Sequence, residues 1–246
     1  MLPNHRPIIV AEQVKMLHAL HPGRVDLGLG RSLGFTAPVR EALGVRRYTP
    51  EQFAEDIDAL AGFLTDTGPV TAMPAGAGPP PVFVLATGSG LEVAARAGLP
   101  VVVGGPALRD DHGGITAYRS TFRPSEFCTE PQVIISLDVM VADTTERARE
   151  LLLPEAWAMA DSQSTGAFPP LSPVATLRDR AATNKQARTI ERTIDGAVYG
   201  TPDQVLQELA DLIQRTGAVE VLASTSTYDR EDLARADAAL AELFTA

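Results

Sequence analysis

The chain has 246 residues, 45% hydrophobic and 21% charged, a balance that fills a large core and excludes general disorder. Its 21 Lys and Arg stand against 31 Asp and Glu, and the resulting net charge of −10 is scattered along the sequence, which argues against nucleic acid as a partner. The single cysteine, Cys128, cannot form an internal disulfide, and no run approaches the roughly 18 apolar residues of a membrane span. With no basic-then-apolar leader, the expected compartment is the cytoplasm, and the length suits one domain over residues 1–246.

Pro7–Leu20 predicts a helix with Ile8, Val14, Leu17 and Leu20 available to one face, and Pro7 suits its first turn. His21-Pro22-Gly23-Arg24 predicts a turn. A short strand follows at residues 25–29 and runs into Gly28-Leu29-Gly30-Arg31-Ser32, small residues with one cation. Thr49-Pro50-Glu51 opens a helix that carries Phe53, Ile57, Leu60 and Leu64, whereas residues 68–81, rich in Gly, Pro and Ala, predict a surface loop.

Val82–Ala86 is the clearest strand, and Thr87-Gly88-Ser89-Gly90 leads from it into a helix at 91–97. A strand at 99–103, a helix at 115–122, the strand Val133–Val141 and a helix at 144–161 continue the alternation, which a polar, proline-bearing insertion at 162–173 interrupts. Thr201 caps a helix over 204–216. The last strand, 219–223, precedes a closing helix over 229–244. Strands alternating with helices predict a parallel sheet with crossover helices, and five strong strands fall short of the eight in a closed barrel.

The passage from Leu85 to Leu91 combines small residues, a hydroxyl and the free amides of a helix N-terminus, which together make an anion site. Such passages are also ordinary tight turns, and spacing alone favours that plainer reading. Arg31 directly follows a strand, at the rim where barrel enzymes place their sites, and either reaches the same phosphate or is a solvated loop residue. His5 either faces a ligand or frays with the terminus, and read alone it favours the terminus. The four histidines, His5, His18, His21 and His112, show no HExxH or paired CxxC spacing, so no metal site is expected. Cys128 lies in a polar stretch without a basic helix start to activate it and reads as an inert thiol.

Met1-Leu2-Pro3-Asn4-His5-Arg6-Pro7, then Ala11-Glu12-Gln13, then the stretch from Leu20-His21-Pro22-Gly23-Arg24 through Asp26-Leu27-Gly28-Leu29-Gly30-Arg31 together resemble the bacterial luciferase-like flavin monooxygenases. The resemblance continues through residues 81–97, Phe122-Arg123-Pro124, Val141-Ala142-Asp143-Thr144, Tyr199-Gly200-Thr201-Pro202 and Tyr228-Asp229, nearly the whole chain. It implies a TIM-type (β/α)8 barrel that binds reduced FMN, supplied by a separate flavin reductase, and uses O2 to oxidise an aldehyde or another small organic substrate. By position, Arg31 matches the family's phosphate-contacting arginine and Thr87 its phosphate-binding serine. Gly88, Ser89 and Gly90 complete the loop, and His5 is the nearby candidate for lining the substrate.

Family members begin about three βα units earlier, on the order of 80–90 residues, so the resemblance implies an N-terminally truncated or incomplete barrel. The earlier part ordinarily supplies the opening strands, part of the flavin-ring pocket and the histidine associated with catalysis. An incomplete barrel leaves the edge of the strand at 25–29 open, from which a homodimer is expected. The competing expectations are a flavin-binding protein without turnover and a partial-barrel subunit that needs a complementary chain.

Overall fold

Runs such as Val82–Ala86 and Val133–Val141 carry too little polar alternation to face water on either side, and a parallel sheet covered by crossover helices satisfies them. The computed structural model describes residues 1–34, 36–108 and 113–244, which form two units, Met1–Ile134 and Ile135–Ala246.

In the first unit a 3-10 turn, Leu2–Asn4, leads into α1 (Pro7–Leu20), β1 (Leu27–Gly30), the short α2 (Ala37–Ala42) and α3 (Pro50–Leu64). There follow β2 (Val82–Ala86), α4 (Ser89–Ala97), β3 (Val101–Gly104) and α5 (Gly113–Thr121). The three strands are parallel: Leu27 to Gly30 stand opposite Val82 to Leu85, and Val84 to Ala86 opposite Val101 to Val103. Helix α3 buries Phe53, Ile57, Leu60 and Leu64 as the spacing predicts, each contributing about 1.5–3 kcal/mol. Its start is fixed by a capping box in which Thr49 and Gln52 each satisfy the other's backbone N–H.

The core face of α1 differs from the one its periodicity predicts. Leu17 and Leu20 are at least half exposed, and the buried residues are Ala11, Val14 and Lys15. Lys15 is enclosed completely, and its ammonium donates to Asp66 Oδ1 at 2.5 Å and to the Phe63 carbonyl at 3.4 Å. Asp66, at a positive φ of 60° just beyond α3, accepts the Gly76 N–H at 3.1 Å on its other oxygen. One carboxylate thus ties α1, the end of α3 and the loop at 68–81 together.

The second unit takes β4 (Val133–Val141), which begins at the junction, and continues through α6 (Thr145–Thr165), α7 (Val174–Leu177) and α8 (Asn184–Ile194). It ends with β5 (Val198–Gly200), α9 (Pro202–Thr216), β6 (Glu220–Ser224) and α10 (Arg230–Glu242). Strand β4 pairs with β5 in parallel, Val139 to Val141 opposite Val198 to Gly200, and with β6. Helix α6 packs Leu151, Leu152, Ala156 and Trp157 into one cluster with Ile190 and Ile194 of α8. Arg180 lies 4.1 Å from the centre of the Trp157 ring and clasps Asp161 with two hydrogen bonds of 2.9 and 3.1 Å.

The described residues hold six strands rather than five, because β5 is too short for its pattern to stand out. Helix α8 escapes the sequence reading because its sequence is mostly polar; only the capping box of Thr183 and Gln186 and the buried Ile190 and Ile194 betray it. The insertion expected from 162 begins later: α6 runs on to Thr165 and stops at Gly166, in the left-handed conformation. Among the described residues no helix is long and apolar enough to cross a membrane.

Two consequences are measurable. Tyr118, 1% exposed, reaches the Leu99 and Gln132 carbonyls at 3.0 and 3.2 Å, so Tyr118→Phe should cost about 1–1.5 kcal/mol in urea unfolding. The hydrogen bond from Lys15, then the Gly76 N–H, holds the Asp66 carboxyl below its usual range. A depressed folded pKa contributes stability that is present above the unfolded value and lost as pH falls through the folded one, hence below about pH 4. The urea midpoint should therefore drop between about pH 5 and pH 3, and drop less in Lys15→Met.

Candidate cofactor-binding site

The pairing of Gly30 with Leu85 brings the C-terminal ends of β1 and β2 level, so Arg31 and Thr87 leave the sheet at the same rim. There a cavity of about 260 Å³ is lined by Arg31, Ser32, Tyr48, Phe53, Leu85, Thr87 and Gly90. Three local structures build it: the end of β1, the residues at the start of α3, and the turn between β2 and α4.

That turn depends on glycine. Gly88 has φ 54° and ψ −123°, a conformation that side-chain-bearing residues avoid, and nothing else crowds the position. The chain then closes sharply, the Gly90 N–H donating to the Thr87 carbonyl and the Leu91 N–H to the Gly88 carbonyl, both at 3.1 Å. Ser89 opens α4, where its N–H has no acceptor within the helix.

The polar groups facing this rim are unspent. The Arg31 guanidinium and the Ser32 and Thr87 hydroxyls make no hydrogen bond or ion pair with any described residue. Glu51, at the start of α3, feels the charge of Arg31, but its carboxyl lies below the usual range chiefly through its own backbone N–H and the Thr49 hydroxyl. Tyr48 is the exception: its hydroxyl donates to Asp56, lies 3.3 Å from the Gln52 carbonyl, and its ring meets Phe53 edge-on at 6.2 Å. Burial, then the hydrogen bond and charge of Asp56, push the Tyr48 phenol well above its ordinary pKa, so it stays protonated.

A free cation, two free hydroxyls and a helix N-terminus fit an anion such as a phosphate, while Phe53 and Leu85 give the same cavity an apolar wall. Of the residues singled out from sequence, Arg31, Thr87 and Gly90 line the cavity, and Gly88 and Ser89 shape its turn without lining it. His5 lies elsewhere, exposed at the end of the first 3-10 turn, its N–H on the Leu2 carbonyl at 2.9 Å. Ser32, Phe53 and Leu85 figure in the sequence reading only as parts of a loop, a helix face and a strand end, and Tyr48 does not figure in it. Tyr48 carries one sequence signal, its place directly before the Thr49-Pro50 helix start.

Cys128 is not among the residues that line the cavity. Cys128 is buried, with its thiol donating to the Glu130 carbonyl at 2.9 Å. His112 lies outside the described residues, among which no cluster of three or more His, Cys, Asp or Glu side chains is placed to hold a metal.

Residues 1–220 match the family model for luciferase-like monooxygenases. Over 257 residues, 99% of this chain and 76% of the relative, the sequence is 32% identical to the uncharacterized protein YceB of Bacillus subtilis (strain 168). Among solved structures, apo-MsnO8 superposes with a TM-score of 0.84 at 28% identity, over 99% of this chain and 75% of that one. The oxygenating constituent of 3,6-diketocamphane monooxygenase from Pseudomonas putida, solved in complex with FMN, shares the fold at 16% identity, with a TM-score of 0.67 over 97% and 75% of the two chains. The architecture is thus the parallel α/β arrangement of the TIM-type luciferase-like barrel, and among the described residues no strand pairing closes the sheet. On the strength of the family-model match, the chain belongs to the luciferase-like monooxygenases.

Proposed function

We propose that the chain binds FMN and acts as the oxygenase of a two-component monooxygenase, taking reduced FMN from a separate reductase and oxidising a small organic substrate with O2. The observation that carries this reading is the unpaired Arg31 guanidinium at one rim with the free Thr87 hydroxyl and the start of α4. Arg31 would hold the phosphate by charge-assisted hydrogen bonds, Thr87 would donate its hydroxyl, and Ser89 its backbone N–H. Gly88 keeps that N–H aimed outward, and Phe53 and Leu85 shield the apolar side of the cavity from water. Reduced flavin, when bound, supplies the oxygen chemistry. The reading extends to a single barrel domain working as a homodimer in the cytoplasm.

A second reading, a flavin-binding protein without turnover, is favoured by one observation. Among the described residues the cavity lining contains no His, Cys, Asp or Glu to move a proton, and His5 is not part of it. Substrate-dependent oxygen consumption above the background of free reduced flavin separates the two.

Fluorescence titration with FMN, under air-free conditions for the reduced form, should show saturable binding. Arg31→Ala should weaken it by about 1.5–3 kcal/mol and Thr87→Ala by about 0.5–1.5 kcal/mol. Gly88→Ala, which strains the turn by about 1–3 kcal/mol, should weaken binding without removing any ligand contact. Riboflavin, lacking the phosphate, should bind more weakly and be indifferent to Arg31→Ala. A folded chain that ignores FMN would overturn the assignment.

A further inference from the structure

Tyr48 is the one cavity-lining polar residue whose hydroxyl is already committed, and the direction of that commitment limits what it offers a ligand. A phenol has one proton and two acceptor lone pairs. Both groups beside the Tyr48 oxygen, the Asp56 carboxylate and the Gln52 carbonyl, are acceptors, and the charged one takes the proton. No donor among the described residues reaches the oxygen, and burial beside Asp56 keeps the phenol protonated. Tyr48 is therefore left with accepting capacity alone, sharpened by the carboxylate that polarises it.

Resting on the reading that this cavity holds the flavin phosphate, we propose that Tyr48, oriented by Asp56, accepts a hydrogen bond from a hydroxyl group of the bound phosphate ester. The other polar groups of the cavity, Arg31, Ser32 and Thr87, all bring donors, so they suit the anionic oxygens. An acceptor facing those same oxygens is repelled. It is matched by a donor, and near the phosphate the donors that FMN presents are O–H groups from two sources: the ribityl chain, and a phosphate carrying its second proton, which it does below about pH 6. The cavity is thus polarised, with donors at the ends of β1 and β2 and an acceptor at the start of α3. That arrangement orients a polyol phosphate and discriminates against the bare phosphate dianion. Tyr48 is a specificity residue and Asp56 positions it.

The test is equilibrium titration of the full chain with FMN at about pH 5 and pH 8, with inorganic phosphate as competitor, for the wild type, Tyr48→Phe, Asp56→Asn and Arg31→Ala. Tyr48→Phe keeps the ring on Phe53 and should weaken FMN about three- to tenfold. Loss at both pH values identifies a ribityl hydroxyl, and loss at about pH 5 alone identifies the protonated phosphate. Asp56→Asn replaces the charged acceptor with a neutral amide that holds the phenol proton less strongly, so inorganic phosphate at pH 8 should compete more strongly than in the wild type. A purely structural role for Tyr48 would move neither the pH dependence nor this competition. If Arg31→Ala weakens FMN while Tyr48→Phe binds it as the wild type does at both pH values, the inference on Tyr48 fails and the phosphate site stands. If the folded wild type binds no FMN, both fall.

Discussion

The register between β1 and β2 is the constraint from which the candidate site follows. It opens with the Leu27 N–H on the Pro81 carbonyl at 2.8 Å and closes with Gly30 beside Leu85. A slip of one residue would exchange the faces of the strand and move Arg31 away from Thr87. The neighbouring ladder starts the same way, with the Val84 N–H on the Pro100 carbonyl at 2.9 Å. In both cases a proline just ahead of a strand offers a carbonyl to its neighbour where it has no N–H to contribute, a position that sheets tolerate.

What the sequence disclosed and what it hid divide along physical lines. Features encoded within a few residues were legible: the Thr49-Pro50 and Thr201-Pro202 helix starts, the spacing of Phe53, Ile57, Leu60 and Leu64, and the placement of Arg31 and Thr87 immediately after strands. Features created by distant contacts were not. Lys15 reads as an ordinary surface residue of an amphipathic helix until Asp66, 51 residues away, is brought beside it. Tyr48 joins the cavity only because the start of α3 is brought to the ends of β1 and β2, and β5 is recognisable as a strand chiefly by its pairing with β4.

The second unit is held by a different kind of interaction. The first encloses one ammonium, that of Lys15, and the second spreads its polar contacts over several elements. Arg147 of α6 reaches Asp232 of α10 at 2.8 Å, and Ser224 of β6 donates to Asp138 of β4 at 2.7 Å. Burial pushes the Asp232 carboxyl up, yet hydrogen bonds from Arg235 and Arg147 bring it below its usual range. Glu155 on α6 goes the other way, raised by burial and by the charge of Asp138, with the Ser226 hydroxyl opposing. Opposite shifts in one unit mark where its carboxylates are matched by cations and where they are not.

Strand β1 has a further property. Among the described residues of its unit it pairs with β2, and two of its four residues, Gly28 and Gly30, are glycines. The Leu27 N–H points toward β2, so by the alternation of a parallel strand the Gly28 and Gly30 amides point the other way. A Cβ at Gly28 or Gly30 would lie 3.7 or 3.9 Å from Leu85, so the two glycines that lead the chain to Arg31 leave that side of the strand to Leu85, part of the apolar wall of the cavity.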